Sequence, residues 1–458
     1  MPAPNVLLLL SDDHGYGDRG VLNHLVSTPS LDRIAQEGTT LTEAYVSAPI
    51  CSPSRAGLIT GRHQASWGVL WFDTARFAPD QVPTLAEELR GQGYATGYFG
   101  KVHYGTADHP GTRACPPEHG FDESLYGLSY AHFGRLNYLH RGQDEAAQYG
   151  PAAGPMGVGT LWDGAKEVAP AGFLTDILAD RAGEFIATHS SRPWFAMVAF
   201  NAVHNFCWQL PAEELQRRGL PQLGDWDPGE TSYDKWYDDA IWPHLEHGRE
   251  YYLAQLELMD AAIGRLLDQL DDLGLAEDTI VIYLTDNGGS TCNYGSNAPL
   301  RGTKYTLWEG GIRVPMLVRW PAGGVPAGVS RDGLVSSLDL LPTVLAATGT
   351  PGVAPTHGKD QWGLIRRGED GHSILHWTTG WSWAVRAGDW KLSWTDPDSA
   401  LAEDLRRQEH APVGSGVFLA DLRTDPGETH NLAEDRPQLV AELTAEHERW
   451  VARLSAGG

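Results

Sequence analysis

The chain contains few cysteines, relatively few basic residues and no CxxC pair. Its four cysteines, at positions 51, 115, 207 and 292, are widely spaced in 458 residues. That spacing argues against a zinc cluster and against a dense disulfide framework. The 34 basic residues face 59 acidic ones, which gives a formal net charge of −25. This balance argues against a surface made for nucleic acid or for an anionic membrane, so we expect neither as a partner.

The sequence also lacks a long apolar run. The early run from Val6 to Leu10 is far shorter than the roughly 20 residues that a membrane-spanning helix needs. No basic segment precedes that run, and Ser11, Asp12 and Asp13 interrupt it, which is unlike a signal peptide. We therefore expect a cytoplasmic protein from the sequence as it stands, or a periplasmic or secreted one if a leader has been removed.

Three short apolar runs are present, and each is followed by polar residues. They span 6–10, 194–200 and 279–284, and all three are typical of parallel strands buried on both faces. The residues that follow them include Asp12, His204 and Asp286. Ligands bind beyond the carboxyl ends of the strands in open α/β sheets, so these polar residues are expected to share one cleft.

Helical patterns lie between the predicted strands. Segments 84–91, 174–188 and 250–273 carry apolar residues at a spacing of three to four, and a helix is also predicted over 338–349. Strands that alternate with helices indicate an α/β fold with a large, mostly parallel mixed sheet sandwiched by helices. The stretch 142–172 is rich in Gly, Ala and Pro and is predicted to be a long surface loop.

The pattern changes in the last quarter of the chain. Short strands are predicted at 374–378, 383–386, 390–394 and 417–422, and an amphipathic helix at 438–454. These elements predict a smaller C-terminal α+β domain of antiparallel strands with a terminal helix. The length suits more than one domain, and we place a catalytic domain at 1–368 and a C-terminal α+β subdomain at 369–458.

Adjacent carboxylates follow the first predicted strand. Asp12 and Asp13 repel each other in a buried position unless a cation neutralises them. Together with Asp286 and Asn287 they form an all-oxygen set, which suits calcium or magnesium rather than zinc. The alternative is that each pair only caps a helix or lies in a solvated turn. Because both clusters follow predicted strands, we favour a metal site.

The segment at 51–62 reads CSPSRAGLITGR and predicts a helix that begins near Cys51. Pro53 suits the first turn of that helix. Cys51 is then at the helix N-terminus, where the unpaired N–H groups and the dipole favour an anion, and Arg55 is about one turn further on. The residues alone leave two readings open: an activated thiolate nucleophile, or a free thiol before an ordinary helix.

This segment resembles the signature of the formylglycine-dependent (type I) sulfatases, including the arylsulfatases and glycan sulfatases, of the alkaline phosphatase superfamily. Further resemblances are SDDHGYGD at 11–18, GKVHYG at 100–105, LRGTK at 300–304, WEGGIRVP at 308–315, DLRTDPGE at 421–428 and NL at 431–432. The chain departs from the family pattern after His204. Many family members have His-x-Pro there, whereas this chain continues with Asn205 and Phe206.

The resemblance implies an alkaline-phosphatase-like fold and a specific reactive group. A formylglycine-generating maturation enzyme would oxidise Cys51 to an aldehyde, which hydrates to a geminal diol. The diol would bind Ca²⁺, or alternatively Mg²⁺, together with Asp12, Asp13, Asp286 and Asn287. The implied catalytic set also contains the cations that would neutralise the sulfate in this acidic protein, namely Arg55, Lys101, His103, His204 and Lys304.

The resemblance also implies a mechanism. The diol would attack sulfur with Asp286 as proton acceptor, while Lys304 and His204 assist departure of the alcohol. His103 would then deprotonate the remaining hydroxyl, so that sulfate is expelled and the aldehyde returns. A serine at position 51 lacks this second hydroxyl and should stall the enzyme after sulfate transfer.

The expected function is hydrolysis of a sulfate monoester, on a small molecule or a glycan, and we favour a carbohydrate. The chain has 17 tryptophans, whose rings can stack on sugar faces, among them Trp67, Trp71, Trp208, Trp377, Trp381 and Trp383. Two alternatives remain: a phosphonate or phosphate ester hydrolase of the same superfamily, and a non-catalytic protein that binds sulfated glycan. The intact Cys51 and the full ligand set argue against the second.

Overall fold

The computed structural model of the protein describes residues 3–104, 111–127, 161–168, 170, 172–204, 207–223, 229–349, 356–409 and 413–456. Within these ranges the strands are, in chain order, β1 Asn5–Ser11, β2 Thr39–Leu41, β3 Ala44–Tyr45, β4 Ala95–Lys101, β5 Glu123–Gly127, β6 Leu161–Asp163, β7 Lys166–Val168, β8 Trp194–Ala199, β9 Thr279–Thr285, β10 Met316–Arg319, β11 Val329–Arg331, β12 Val335–Ser336, β13 Ile374–Thr378, β14 Ser382–Ala387, β15 Trp390–Thr395 and β16 Gly416–Asp421.

The α-helices in the same ranges are α1 Pro29–Gln36, α2 Cys51–Thr60, α3 Leu85–Gly91, α4 Leu174–Thr188, α5 Ala212–Arg218, α6 Tyr233–Trp236, α7 Gly248–Asp272, α8 Glu309–Ile312, α9 Leu340–Thr348, α10 Trp362–Arg367, α11 Ala400–Glu409 and α12 Pro437–Ala456. Short 3₁₀ turns occur at Gln64–Trp67, Pro116–His119, Thr291–Asn293 and Ser337–Asp339, and a π turn at Tyr237–Ile241.

Ten strands form one large mixed sheet in the order β11-β2-β10-β9-β1-β8-β4-β5-β6-β7. The five central neighbours, β9 to β5, run parallel to one another. Antiparallel pairs occur towards the edges, where β10 pairs with β9 and with β2, β6 pairs with β5, and β7 pairs with β6. The predicted large, mostly parallel mixed sheet is confirmed.

Both faces of this sheet are buried, which explains why its central strands are apolar throughout. On β1, Leu7 and Leu9 belong to one hydrophobic core, whereas Val6, Leu8 and Leu10 belong to the other. The first core includes side chains of α1, α4 and α7, and the second those of α2, α3 and α9. Because successive residues of a strand point to opposite faces, a strand covered on both sides needs an apolar residue at every position.

The helices between the strands are confirmed close to their predicted positions. The predicted helix at 84–91 is α3, and Thr84 caps it: the Thr84 hydroxyl accepts from the Glu87 N–H, and the Glu87 carboxylate accepts from the Thr84 N–H. The predicted helix at 338–349 is α9, preceded by the 3₁₀ turn Ser337–Asp339.

The prediction of a loop over 142–172 is wrong at one point. Residues Leu161–Asp163 and Lys166–Val168 form the hairpin β6–β7 at the edge of the large sheet. The hairpin forms because Leu161 is buried in the core and Gly164 provides the left-handed turn, with φ of 59°. Such short strands leave little periodicity in a Gly-rich and Ala-rich stretch. Residues 142–160, 169 and 171 lie outside the described residues.

The smaller sheet contains four antiparallel strands in the order β13-β14-β15-β16. Helix α12 packs on it, and Leu443 meets Val385, Leu392 and Leu419 there. The predicted C-terminal arrangement of antiparallel strands and a terminal helix is therefore confirmed. The division into 1–368 and 369–458 stays a prediction.

A buried ion-pair network, which we call the Lys391 network, joins the four-stranded sheet to α8 and to the residue that precedes β3. Its central cation is Lys391 of β15, whose Nζ lies 3.0 Å from Glu309 Oε1 and 3.0 Å from Glu428 Oε1. Burial, opposed by Lys391, raises the pKa of Glu428 to about 7. The backbone N–H of Glu309 also donates to Glu428 Oε2, at 2.6 Å. The segment resembling the family at 421–428 thus contributes to packing between the two parts of the chain.

Further members of the Lys391 network surround Glu43. Arg313 Nη2 lies 2.8 Å from Glu43 Oε1, and Arg386 of β14 also contacts the Glu43 carboxylate. Three carboxylates therefore meet three cations in a largely buried region.

All four cysteines are free thiols. Among the helices that the structure describes, none combines the length and the apolar character needed to cross a bilayer.

Candidate functional site

Four neighbouring parallel strands end beneath one cleft. The register pairs Ser11 with Thr285, and Ala199 with both Leu10 and Gly100, so the carboxyl ends of β9, β1, β8 and β4 are level. The residues that these ends deliver are Asp286 and Asn287 from β9, Asp12 and Asp13 from β1, His204 from β8, and Lys101 and His103 from β4. The predicted convergence of strand ends is confirmed, and β4 is a fourth contributor that the sequence pattern did not reveal.

Gly100 allows β4 to approach β8 at this level. Its φ is 133°, and a Cβ placed on it would lie 1.8 Å from the carbonyl oxygen of Ala199. Only glycine fits such a close approach, and the next residue, Lys101, enters the cleft as a consequence.

Helix α2 brings Cys51 to the cleft. Cys51 is the first helical residue, after an extended Ile50, and all ten residues of α2 are buried. The prediction of a helix that begins at Cys51 with Pro53 in its first turn is confirmed. Burial raises the pKa of the Cys51 thiol, although Lys101 and Lys304 oppose the shift. A raised pKa favours the thiol over the thiolate, which does not support the activated-thiolate reading.

Carboxylates crowd around Cys51. Potential ligand atoms of Asp12, Asp13, Cys51 and His204 all lie within 4.8 Å of one another. Asp286 is adjacent, because its Oδ1 accepts from the Asp13 N–H at 3.3 Å. Burial, opposed by Lys304 and reinforced by Asp12 and Asp286, raises the pKa of Asp13 to about 7. Such crowding in a buried place is relieved by a cation.

Two buried oxygen atoms of this cluster have no hydrogen-bond partner in the described part of the chain: Asp12 Oδ1 and Asn287 Oδ1. The Asn287 amide donates through Nδ2 to Asp13 Oδ1 at 2.6 Å. Rotation of this amide by 180° would place its Oδ1 beside the same carboxylate. Both unsatisfied atoms are oxygens, which are the ligands that hard divalent cations prefer, so the residues present fit such an ion.

Three cations offset the three carboxylates. Lys101 contacts Asp12, and Lys304 Nζ lies 2.8 Å from Asp13 Oδ2. Arg55 bridges the other two carboxylates. Its Nε lies 2.6 Å from Asp286 Oδ2, and its Nη2 lies 3.3 Å from Asp12 Oδ2.

The surroundings of the two histidines of the site favour their neutral forms. Burial, together with the nearby lysines and Arg55, holds the pKa values of His103 and His204 well below the usual range. The Nε2 atom of His204 lies 3.7 Å from Asp13 Oδ2. The structure therefore brings His204 into the site, while Asn205 and Phe206, where the sequence departs from the family pattern, lie outside the described residues.

Sequence reasoning missed one residue that contacts the cluster. Asn293, in the 3₁₀ turn Thr291–Asn293, donates through Nδ2 to Asp13 Oδ2 at 2.6 Å. Asparagine is common in turns, so no local pattern distinguishes this one. Asp13 and His103 also have positive φ, of 57° and 49°. Backbone strain of this kind concentrates at functional sites, but sequence spacing does not show it.

Two of the six tryptophans considered for sugar stacking belong to the hydrophobic cluster of Cys51. Trp71 is a member of that cluster, and Trp381 packs against it. The other four belong elsewhere: Trp67 and Trp208 to the two cores of the large sheet, Trp377 to a cluster with Tyr45, and Trp383 to the small sheet.

Comparison with known proteins gives a consistent result. The family model described as Sulfatase matches residues 4–350. Arylsulfatase A of Homo sapiens is 32% identical over 470 residues, which cover 94% of this chain and 83% of the relative. Steryl-sulfatase of Mus musculus is 30% identical over 522 residues, which cover 96% of this chain and 77% of the relative.

Among solved structures, that of Ps i-CgsB in complex with k-i-k-neocarrahexaose is similar with a TM-score of 0.79 at 26% identity, covering 98% of this chain and 93% of that chain. The predicted alkaline-phosphatase-like fold is confirmed by these likenesses. The chain therefore belongs to the sulfatase family and is a sulfuric ester hydrolase.

Proposed function

We propose that this sulfatase hydrolyses a sulfate monoester of a carbohydrate, using a formylglycine formed from Cys51 and a bound Ca²⁺, with Mg²⁺ as the alternative ion. The observation that carries the proposal is the position of Cys51. It lies at the first residue of α2 and within 4.8 Å of potential ligand atoms on Asp12 and Asp13. A carbonyl carbon at this position would lie beside both the oxygen ligands and the cations that neutralise a sulfate.

The conversion of Cys51 removes sulfur and two electrons. Thiol plus water gives aldehyde plus hydrogen sulfide, two protons and two electrons, and the maturation enzyme must pass those electrons to an acceptor. A second water then hydrates the aldehyde to two hydroxyls. The protonated, buried thiol of the unmodified chain offers no comparable nucleophile.

The residues that would hold the ion are Asp12, Asp13, Asp286 and Asn287. Asp12 Oδ1 and Asn287 Oδ1 are the buried oxygens that lack a hydrogen-bond partner, which supports this assignment. The bound ion supplies Lewis acidity, favouring the deprotonated form of a hydroxyl at position 51. The charges of the three carboxylates already balance those of Arg55, Lys101 and Lys304. A divalent cation and an anionic ester that bind together would therefore add little net charge to the site.

The other side chains would act on protons and on negative charge. Asp286 takes the proton of the attacking hydroxyl as the sulfuryl group passes from the ester oxygen to position 51. Lys304 and His204 donate hydrogen bonds to the leaving oxygen, which departs as the alcohol after it takes up, through water, the proton that Asp286 removed from the attacking hydroxyl. Burial lowers the pKa of Lys304, but Asp13 and the other anionic groups around it outweigh burial and hold that pKa well above its usual range, so the ammonium stays charged beside the leaving oxygen.

His103 would then take the proton of the second hydroxyl. The electron pair of that O–H bond forms the aldehyde C=O bond, the C–O bond to the sulfate group breaks, and inorganic sulfate leaves. Water restores the diol. In this scheme Arg55 is a positioning residue, because it joins Asp286 to Asp12 and donates to the Lys101 carbonyl at 2.9 Å.

A carbohydrate is favoured as the substrate for two reasons. One solved structure that resembles this chain is a complex with k-i-k-neocarrahexaose. In addition, two tryptophans of this chain belong to or pack against the hydrophobic cluster of Cys51. The competing class is a steroid sulfate, the kind of substrate that the name of the steryl-sulfatase relative indicates.

The test is release of inorganic sulfate from a panel of esters, measured with the wild type and with a Cys51→Ala control. The panel contains sulfated monosaccharides and oligosaccharides, an aryl sulfate, a steryl sulfate, choline sulfate, an aryl phosphate and an aryl phosphonate. Mass spectrometry of the peptide that contains position 51 measures the fraction converted to formylglycine, and metal analysis of the purified protein identifies the ion.

We expect fastest release from a sulfated sugar, none from the Cys51→Ala variant, and a peptide mass that corresponds to the aldehyde. Preference for the phosphate or phosphonate would favour an ester hydrolase of the other class. A fully converted, metal-loaded protein that binds sulfated sugar and releases no sulfate would instead support a glycan-binding role. The Cys51→Ser variant should give one equivalent of alcohol and then stop, and steady turnover by it would contradict the scheme.

A further inference from the structure

Cys51 belongs to a hydrophobic cluster that is rich in aromatic side chains. The cluster and the residues packed against it come from separate parts of the chain, which include Trp71 from the loop after the 3₁₀ turn Gln64–Trp67, Tyr305 from the segment that carries Lys304, Trp381 from the turn before β14, and Leu401, Ala402 and Leu405 from α11. Trp71 is nearly fully buried, whereas Tyr305 and Trp381 are only half-buried. Tyr305 and Trp381 are therefore the aromatic members of this cluster that keep some exposed surface.

Trp71 fixes the two outer rings. Its ring centroid lies 5.5 Å from that of Trp381 at an angle of 82°, and 6.0 Å from that of Tyr305 at 51°. An edge-to-face contact with a buried indole holds Trp381 in a defined orientation, because the positive ring edge meets a negative ring face. We call Trp71, Trp381 and Tyr305 the aromatic wall.

Tyr305 is placed in the wall at the expense of backbone strain. Its φ is 74°, in the left-handed region that favours glycine. The Tyr305 N–H donates to the Pro49 carbonyl at 2.7 Å, which anchors the residue beside the segment that leads to Cys51. Asp13 and His103 share the same kind of backbone strain. Since such strain concentrates at functional sites, a tyrosine in place of glycine at 305 indicates a use for its side chain.

The wall is directly coupled to a cation of the site. Lys304 is the neighbour of Tyr305 in sequence, and its Nζ lies 5.3 Å from the Tyr305 ring centroid. The same Nζ lies 2.8 Å from Asp13 Oδ2. A sulfate held by the Lys304 ammonium would therefore have its ester oxygen and the attached carbon skeleton next to the aromatic wall.

We propose that the aromatic wall of Trp71, Trp381 and Tyr305 is the subsite for the leaving group and selects sulfate esters carried on a ring whose apolar face stacks on Trp381. This inference rests on the proposed function, because it assigns the part of the substrate that leaves. A pyranose has such a face of C–H groups, whereas an acyclic alkyl sulfate has none.

The test compares two esters with the same kind of scissile bond. A hexose 6-sulfate and propyl sulfate are both sulfates of primary alcohols, so their intrinsic reactivity is similar and only the ring differs. The variants are Trp381→Ala and Trp381→Phe, which respectively remove and retain an aromatic face. Trp383→Ala is the matched control, because Trp383 is also half-buried near the start of β14 but stacks on His447, at 4.5 Å, instead of packing on Cys51.

We expect the wild type to prefer the cyclic ester. Trp381→Ala should lower kcat/KM for the hexose sulfate about tenfold, mainly through KM, and change that for propyl sulfate less than about twofold. Trp381→Phe should retain most of the preference, and Trp383→Ala all of it. Equal losses on both esters in Trp381→Ala, or no loss on either, would overturn the inference.

Failure of the proposed function would give a different experimental result. In that case the wild type itself releases no sulfate from any ester, or Cys51→Ala releases as much as the wild type. A wild type that hydrolyses propyl sulfate as well as the hexose sulfate, with the Cys51→Ala variant inactive, would overturn the subsite alone.

Discussion

Replacing Lys391 by methionine should destabilise the protein through the Lys391 network. The ammonium is fully buried and lies 3.0 Å from one oxygen of Glu309 and 3.0 Å from one oxygen of Glu428. Removal leaves two buried carboxylates without their main cation, and breaking a buried pair in this way costs about 3–5 kcal/mol. A chain of 458 residues unfolds with an entropy of about 1 kcal/mol per kelvin, so Tm should fall by about 3–5 °C.

The fall in Tm caused by Lys391→Met should also depend on pH. The folded-state pKa of Glu428 is about 7, raised above the ordinary value of 4.5, so stability from this group is present at low pH and is lost as pH rises through about 7. Without the Lys391 cation that pKa rises further, and the loss continues to a higher pH. The Tm difference between wild type and Lys391→Met should therefore be larger at pH 8 than at pH 6.

The assay is thermal unfolding followed by circular dichroism at both pH values. The double variant Lys391→Met, Glu428→Gln is the control, because it removes one of the two carboxylates that lost their partner. Glutamine can still accept the hydrogen bond that the Glu309 N–H gives to position 428. Its Tm should lie above that of the single variant. A single variant within about 1 °C of the wild type at pH 8, or a double variant no more stable than the single one, would refute the reasoning.

Three further outcomes follow from the structure. Lys304→Ala should lower kcat for sulfate release about 10²–10³-fold with the fold intact, because it removes a charge beside the transferred group; unchanged turnover would exclude that role. Gly100→Ala should yield little folded protein, since its Cβ would lie 1.8 Å from the Ala199 carbonyl oxygen, and normal soluble yield with wild-type Tm would contradict this geometry. Burial lowers the pKa of His447 to about 4, so its stabilising effect is present above about pH 6.5 and is lost as pH falls towards 4. His447→Leu should therefore lose less Tm than the wild type between pH 7 and pH 5, as scanning calorimetry can measure.

Most of the architecture could be read from the sequence because its signals are local. An unbroken apolar run such as β1 has few alternatives to a strand buried on both faces, and the spacing of three to four in α4 shows directly. The hairpin β6–β7 was not predicted because three-residue strands carry too little periodicity. Strand β4 was not predicted for another reason: its sequence, ATGYFGK, includes two glycines and a lysine, which obscure the apolar pattern.

The residues of the site also divide into those that the sequence indicates locally and those that it does not. Asp12, Asp286 and Lys101 could be proposed because they belong to recognisable segments, and the structure brings them together. The contact of Asn293 with Asp13, and the packing of Trp381 on the cluster that contains Cys51, depend on tertiary packing between segments far apart in sequence. No local spacing contains that information.

The burial of α2 bears on when the proposed conversion of Cys51 could occur. Cys51 is only 3% exposed, and the nine helical residues that follow it are buried as well. An enzyme that acts on Cys51 would need access to this segment, and the packed helix does not offer it. The proposed conversion would therefore take place on the newly synthesised chain before folding is complete. A molecule that folded first would retain its cysteine, so competition between modification and folding would set the active fraction of a preparation.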